Sequence, residues 1–280
     1  MKKYLTNGKI CVILLINKKL LTKYYYRGSD NMYSIENYER PSVASDCVVF
    51  GIDSTEPDSP RSLKQRKLKI LLVKRGEEPF INRYSLAGGF LRRGETIEET
   101  AVRELKEEAG VCDPKIINIG VYSKADRDPR GWIISCAFLA LTRTVVLSTA
   151  EDSDALDAHW LDFDYDDSDG EKITLSDGSD EIVICYNDGV PQENPLAFDH
   201  AKIIYDAFMK LRDEVMNHDI IFDLMPPLFA ISDLQQPYEI ITGRKTSPQN
   251  FRKKMSSKIR ETEFFDERKA HRTSKLYEKL

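Results

Sequence analysis

The chain has 280 residues, 41% of them hydrophobic and 31% charged, which is enough apolar material for one full core with room for a second, smaller domain. A formal net charge of -5 gives the whole chain no signature of a polyanion binder. Cys11, Cys47, Cys112, Cys136 and Cys185 are odd in number and widely scattered, which excludes a disulfide framework or a CxxC metal site and reads as reduced thiols of a cytosolic protein.

The amino terminus, MKKYLTNGKICVILLINKK, has the basic start and apolar run of a short secretory signal. The run at residues 10–16 is too short to span a bilayer and no small-residue cleavage site follows it, so no membrane partner is expected. Residues 1–39 read as a poorly specified extension, within which Met32 is a candidate for the true start of translation. Residues 44–52 (ASDCVVFGI) and 68–74 (LKILLVK) have strand length and are expected as neighbouring core strands across a Pro-, Ser- and charge-rich loop at 53–67. A glycine-rich turn at 87–89 leads into a helix at 96–109, and strands follow near 116–122, 132–141 and 155–163. Residues 173–175 and 182–186 are expected as a hairpin closed around SDGSDE. Ile203, Ile204, Ala207, Phe208 and Leu211 recur at helical spacing and place a long helix at 197–216. This mixed order predicts an α/β/α sandwich with a mixed sheet over residues 40–194 and a second domain over 195–280. Acidic residues crowd 149–199, whereas from 243 onward Lys and Arg outnumber acids roughly two to one, so the two ends face different partners.

Chemistry concentrates in GFLRRGETIEETAVRELKEEAGV, residues 89–111. Glu104, Glu107 and Glu108 sit at i, i+3 and i+4 of the expected helix and so share one face. Thr96 with Glu99 forms a capping box, and Gly110 stands where a left-handed carboxy-terminal cap is needed. Three carboxylates on one face repel one another unless a cation lies among them, and hard oxygens select Mg2+, Mn2+ or Ca2+ over zinc. An ion held there bridges phosphate oxygens and orients a water, which suits pyrophosphate hydrolysis. Gly88 and Gly89 allow close backbone approach, Arg103 can pair with Glu95, and Ala101, Leu105 and Val111 seat the helix on the sheet.

A solvated acidic face is the ordinary fate of such a charge run. Here Gly89, five residues, Glu95, seven residues and then RELKEEAGV match the Nudix consensus at every specified position, and the chain resembles that superfamily. The resemblance implies that Glu104, Glu107 and Glu108 are metal ligands, that Gly88 contributes its carbonyl, and that Arg103 belongs to the catalytic set. The catalytic base of the superfamily often lies outside the box, and Glu151, Asp152 and Asp154 are candidates in an acidic loop. Lys74 and Arg75 at a strand end, with Gly88 and Gly89, are candidates for the ligand's phosphates. Arg127 and Arg130 join them from the loop DRDPRG, which resembles a segment that follows the box in ADP-ribose-type members. Asp-Pro and Arg-Gly also serve simply to build turns.

In the carboxy-terminal third, Met225-Pro226-Pro227 stops one helix, and Ser232 to Gly243 then reads as the first helix of a helix-turn-helix. Pro237 would remove a backbone bond to Asp233 and suggests a later start for it. Ser247 as N-cap and Pro248 as first residue open the second helix, which carries Gln249, Asn250, Arg252, Lys253 and Lys254. Asn, Gln and Arg read base edges while Lys holds phosphate. Strands at 259–265 and 274–278 flank DERKAHRT, whose Arg268, Lys269 and Arg272 would form a basic wing. A Nudix domain followed by HAKIIYDAF, FAISDLQQPYE and NFRKKM resembles the NrtR-type Nudix-related transcriptional regulators across residues 40–280. That resemblance implies a homodimer that binds ADP-ribose or a related metabolite and operator double-stranded DNA, in control of NAD metabolism or sugar use. Many such regulators have eroded boxes, and the whole box here keeps hydrolysis among the expectations. The alternative is a Mg2+-dependent ADP-ribose or nucleotide-sugar pyrophosphatase whose basic tail serves only dimerisation or nucleic-acid proximity; a mutT-like sanitiser of oxidised triphosphates is a third reading.

Overall fold

The computed structural model describes residues 2–6, 9–16, 19–26, 38–55, 65–111, 114–143, 145, 158–266 and 274–280. Met32, Cys112, the acids Glu151, Asp152 and Asp154, and the wing residues Arg268, Lys269 and Arg272 lie outside the described residues. The chain divides into two units, Met1–Arg40 and Pro41–Leu280. In the first, strands β1 (Lys2–Thr6), β2 (Lys9–Ile16) and β3 (Lys19–Tyr26) pair antiparallel, with Thr6 opposite Lys9 and Ile16 opposite Lys19. The apolar run at 10–16 is thus a strand, in a segment for which the sequence offered no element.

The second unit is built around β4 (Ser42–Thr55) and β5 (Gln65–Lys74), antiparallel neighbours with Val49 opposite Leu71. Both strands continue past the expected ends, which shortens the loop predicted at 53–67. Beyond β5 lie β10 (Ala158–Asp166), β11 (Glu171–Ser176), β12 (Glu181–Asn187) and β13 (Val190–Pro191), and beyond β4 lie β9 (Ile133–Thr142) and β8 (Lys115–Tyr122). The β4–β9 pairing is parallel and its neighbours are antiparallel, which makes the sheet mixed. The expected hairpin is present, with Ser176 opposite Glu181. Two short strands complete the sheet: β6 (Tyr84–Ser85) on β5, and β7 (Ala87–Phe90) on β4. The segment at 87–89, expected as a turn, is therefore a strand, with Gly88 opposite Asp46.

Side chains alternate across a strand, and in β4 both faces are buried. Cys47 and Val49 point to helix α1 (Ile97–Ala109), where they pack with Ala101 and Leu105. Val48, Phe50 and Ile52 point the other way, to helix α2 (His200–Asn217) and its Ile204 and Phe208. The result is the expected α/β/α sandwich. On the α2 side, Phe163 stands edge-on to Phe50 with centroids 5.1 Å apart and lies 4.8 Å from Phe208.

After α2 come a short 3-10 helix (Ile220–Leu224), β14 (Phe229–Ala230), α3 (Ile231–Thr242), α4 (Pro248–Met255), β15 (Ile259–Asp266) and β16 (Ser274–Lys279). The last two strands pair as expected, and the two-residue β14 adds to β16, giving the order β14-β16-β15. Helix α3 begins at Ile231, one residue ahead of Ser232, with Pro237 inside it. The proline forgoes one backbone bond, but Leu234, Tyr238 and Ile241 anchor the turns on either side of it in the core. Gly243 ends the helix in the left-handed conformation, φ 68°. The start of α3 rests on β5: the Arg66 N–H donates to Gln236 Oε1 at 3.1 Å and its guanidinium pairs with Asp233 at 3.4 Å. One buried cluster runs from Phe50 and Ile70 through Phe208 and Leu211 to Leu234, Ile241 and Phe251. Among the described residues no helix is long and apolar enough to cross a membrane.

Candidate ligand site and nucleic-acid interface

The box folds as its residues dictate. The Thr96 hydroxyl accepts from the Glu99 N–H at 3.2 Å, the Glu99 carboxylate accepts from the Thr96 N–H at 2.7 Å, and Gly110 closes α1 at φ 64°. Arg103 binds Glu95 through two nitrogens, at 2.8 and 3.1 Å, and reaches the Phe90 carbonyl at 3.2 Å. Those bonds pull the Glu95 carboxyl down to about 2. The same guanidinium donates to Glu104 at 2.5 Å and to Glu107 at 3.1 Å, while Arg92 donates to Glu107 from the other side. Glu108 points elsewhere, accepting from the Gly88 N–H at 2.9 Å.

The two glycines are needed for space. A Cβ on Gly89 would stand 2.1 Å from Glu104 Oε1, and one on Gly88 would stand 2.2 Å from the Ser45 carbonyl. Among the described residues no three acidic, His or Cys side chains converge on one point as they stand. The donors nonetheless suit a hard divalent cation: three carboxylates on one helical face, one of them lying in a backbone cradle that a Cβ would fill.

Beside the box lies a cavity of about 450 Å³. Glu108, Gly88 and Gly89 form one wall, and Arg75, Arg130 and Phe198 another. Lys74 is exposed where β5 ends, and Arg75 is half-buried, its Nε donating to the Pro79 carbonyl at 2.7 Å. Arg130 is bidentate on Asp128 at 3.0 and 2.7 Å. Arg127 also lines the cavity, but its side chain is 3% exposed and its guanidinium is already engaged by Asp199 at 2.7 and 3.0 Å and by Asp46 at 3.1 Å. Asp46 accepts further from the Ser135 hydroxyl at 2.5 Å. His200 Nδ1 accepts from the Leu86 N–H at 2.9 Å, which places the ring proton on Nε2, 3.6 Å from Asp46 Oδ1. Burial lowers the His200 pKa against the pull of Asp46, and the ring is neutral. Of the expected residues, Glu108, Gly88, Gly89, Lys74, Arg75, Arg127 and Arg130 all line this one cavity, whereas Glu104 and Glu107 lie off it with Arg103. Asp46, Phe198 and His200 were not expected there, nor were Ser135 and Asp199, which bond Asp46 and Arg127 behind the lining; an aspartate inside the otherwise apolar run at 44–52 was the one visible hint.

In α4, Phe251 and Met255 are buried one turn apart, which leaves Gln249, Asn250, Arg252 and Lys253 on the exposed face. Ser247 caps the helix by accepting from the Asn250 N–H at 3.3 Å. Lys254 is turned back onto α3, where it bonds the Tyr238 hydroxyl and lies 4.3 Å over that ring.

The NUDIX domain family model matches residues 62–197, and that of the NrtR DNA-binding winged helix domain matches residues 221–278. The chain is 27% identical over 235 residues to an ADPR responsive transcriptional repressor of Acinetobacter baylyi, covering 82% of this chain and 79% of that protein. It is 33% identical over 206 residues to an ADP-ribose pyrophosphatase of Methanocaldococcus jannaschii, covering 73% of this chain and 94% of that protein. Among solved structures, a MutT/nudix family protein from Enterococcus faecalis matches with a TM-score of 0.69 at 28% identity, over 87% of this chain and 88% of the other. Shewanella oneidensis NrtR, crystallised with a 27mer DNA, shares the fold with a TM-score of 0.59 at 23% identity, over 85% of this chain and 93% of the other.

Proposed function

The chain belongs to the Nudix family, and from that premise we propose that it is a cytoplasmic, homodimeric transcriptional regulator. Its Nudix domain, residues 40–194, takes ADP-ribose or a related nucleoside diphosphate, and residues 195–280 hold double-stranded DNA. The observation that carries this reading is the double attachment of the cavity to the winged helix. Strand β5 ends at the cavity with Lys74, followed by Arg75, and carries near its start Arg66, which holds Gln236 and Asp233 of α3. Helix α2 likewise starts at the cavity with His200 and packs further along into the core of α3. In the cavity, Arg75 supplies positive charge for a diphosphate, with Arg130 beside it paired to Asp128. On DNA, Gln249, Asn250 and Arg252 face base edges while Ser247 and Lys253 face phosphate, joined by Arg268, Lys269 and Arg272 of the wing. The test is fluorescence anisotropy of the full chain on its own upstream region, with and without ADP-ribose, over a salt series. Sequence-specific binding that changes with ligand and falls steeply with salt is expected. Binding without sequence preference at moderate salt would sink the reading.

The complete box favours a second activity, hydrolysis of the ligand. Glu104, Glu107 and Glu108, with the Gly88 carbonyl, would hold Mg2+, or Mn2+ in its place, and such an ion offsets charge developing on the departing phosphate. Arg103 keeps the glutamate face and the Glu95 loop in register. Mg2+-dependent release of AMP from ADP-ribose is expected, and it should vanish in E107Q and E108Q variants that melt like the parent. AMP release at the parental rate in those variants would refute the assignment.

A further inference from the structure

One ring in the cavity wall, that of Phe198, faces two guanidinium groups. The guanidinium carbons of Arg75 and Arg130 each lie 4.9 Å from the centroid of Phe198. Arg130 also lies 5.2 Å over Phe90, so it is held between two rings, and Phe80 meets Phe198 edge-on at 5.1 Å. A guanidinium over an aromatic face is attracted by the ring's quadrupole, more strongly when water is excluded, and gives up its free rotation in return. The two arginines differ in what else they touch. Arg130 is neutralised by its bidentate pairing with Asp128, whereas the hydrogen bonds of Arg75 go to the main-chain carbonyls of Pro79 and Glu77. Arg75 therefore keeps its charge, in a half-buried position where, after burial, the nearby Arg130 is the next strongest force lowering its pKa. Arg75 is thus the guanidinium at this ring whose charge is left to favour an anion in the cavity.

The backbone of Phe198 points the same way. Its φ is 52°, a left-handed conformation that a bulky aromatic rarely adopts and keeps only where its surroundings enforce it. The Asn194 side chain holds its carbonyl, and the ring is held by Phe80 and His200. This residue stands one position before the cap of α2, so the strain is spent on aiming a ring into the cavity.

We propose that Phe198 is a positioning residue that orients Arg75, beside the neutralised Arg130, as the receptor for the diphosphate of the ligand. It sets specificity for the anionic centre of the ligand and leaves the base unread. The inference rests on the reading of the cavity as a nucleoside diphosphate site. It differs from a base-stacking platform, which would hold the nucleoside and leave inorganic pyrophosphate unaffected.

The test is calorimetric titration of the full chain with two probes, ADP-ribose and inorganic pyrophosphate, each with Mg2+. Tri-fluorinated phenylalanine introduced at Phe198 removes the negative ring face while keeping the shape, and F198L removes the ring. About tenfold weaker binding of both probes is expected in each variant, with F198Y close to the parent. In an R75Q background the fluorinated ring should bring little further loss, because the two act through one contact. If F198L fails to fold, as its unliganded melting curve would reveal, the fluorinated and tyrosine variants decide alone. Unchanged affinities on fluorination overturn the proposal, as does a loss confined to ADP-ribose. If the parent binds neither probe, the reading of the cavity itself falls, a result distinct from a parent that binds and a variant that matches it.

Discussion

Replacing Arg127 by Leu should expose how tightly the cavity floor is balanced. The side chain is 3% exposed, and its guanidinium donates at 2.7 and 3.0 Å to Asp199 and at 3.1 Å to Asp46. Asp199 is 22% exposed and water can replace much of what it loses, but Asp46 is 12% exposed and keeps only Ser135 and a neutral His200. Breaking a buried pair by removing one partner costs about 3–5 kcal/mol, and the accessible Asp199 argues for the lower end. About 3 kcal/mol corresponds to a fall in Tm of roughly 6–12 °C for a chain of this size. Urea unfolding would read the loss as a lower midpoint at unchanged slope. One further result belongs to the same cause. D46N in the R127L background should recover at least half of the loss, about 1.5 kcal/mol, because a neutral amide needs no counter-charge. A variant within about 1 kcal/mol of the parent would refute the reasoning, and so would a deficit that D46N leaves intact.

Other consequences follow from the same geometry. The lowered His200 pKa means that the folded chain binds fewer protons than the unfolded one below about pH 6.5, so stability should fall as pH drops through that window. H200N, whose amide oxygen can still accept from the Leu86 N–H, should melt with a flatter pH curve, and parallel curves would exclude His200 as the source. G88A would press a Cβ against the Ser45 carbonyl, a main-chain atom that cannot move aside alone, and should cost about 1–3 kcal/mol by loosening β7 from β4; an unchanged urea midpoint would contradict it. R66A breaks a partly exposed pair worth under about 1 kcal/mol, so the fold should survive. Its ligand affinity should match the parent while the ligand's effect on DNA binding weakens, and an undiminished effect in the anisotropy assay would count against β5 as a link.

What the sequence disclosed was local. Thr96, Glu99 and Gly110 announced both ends of α1, Ser247 and Pro248 announced α4, and i, i+3, i+4 spacing put the three glutamates on one face. Strand type followed from the apolar runs, although their ends did not. What stayed hidden depends on residues distant in the chain. Asp46, Arg127, Ser135, Asp199 and His200 meet because β4 lies parallel to β9, placing Ser45 beside Cys136, and because α2 starts against the end of that pair. No window of sequence contains that pairing. The strand β14 was missed because two residues carry no period, and Phe198 because its ring acts through a backbone conformation that composition does not advertise.

The buried cluster that joins Phe50 to Phe251 has a thermodynamic consequence. When two modules share one core, neither has a private surface to retreat to, so unfolding of either strips the other of packed neighbours and the two melt together. A ligand that occupies the cavity then raises the melting temperature of α3 and α4 as well as that of the sheet, by an amount set by its concentration relative to its dissociation constant. Hydrogen exchange at amides of α4 thus becomes a gauge of cavity occupancy, although α4 itself does not line the cavity.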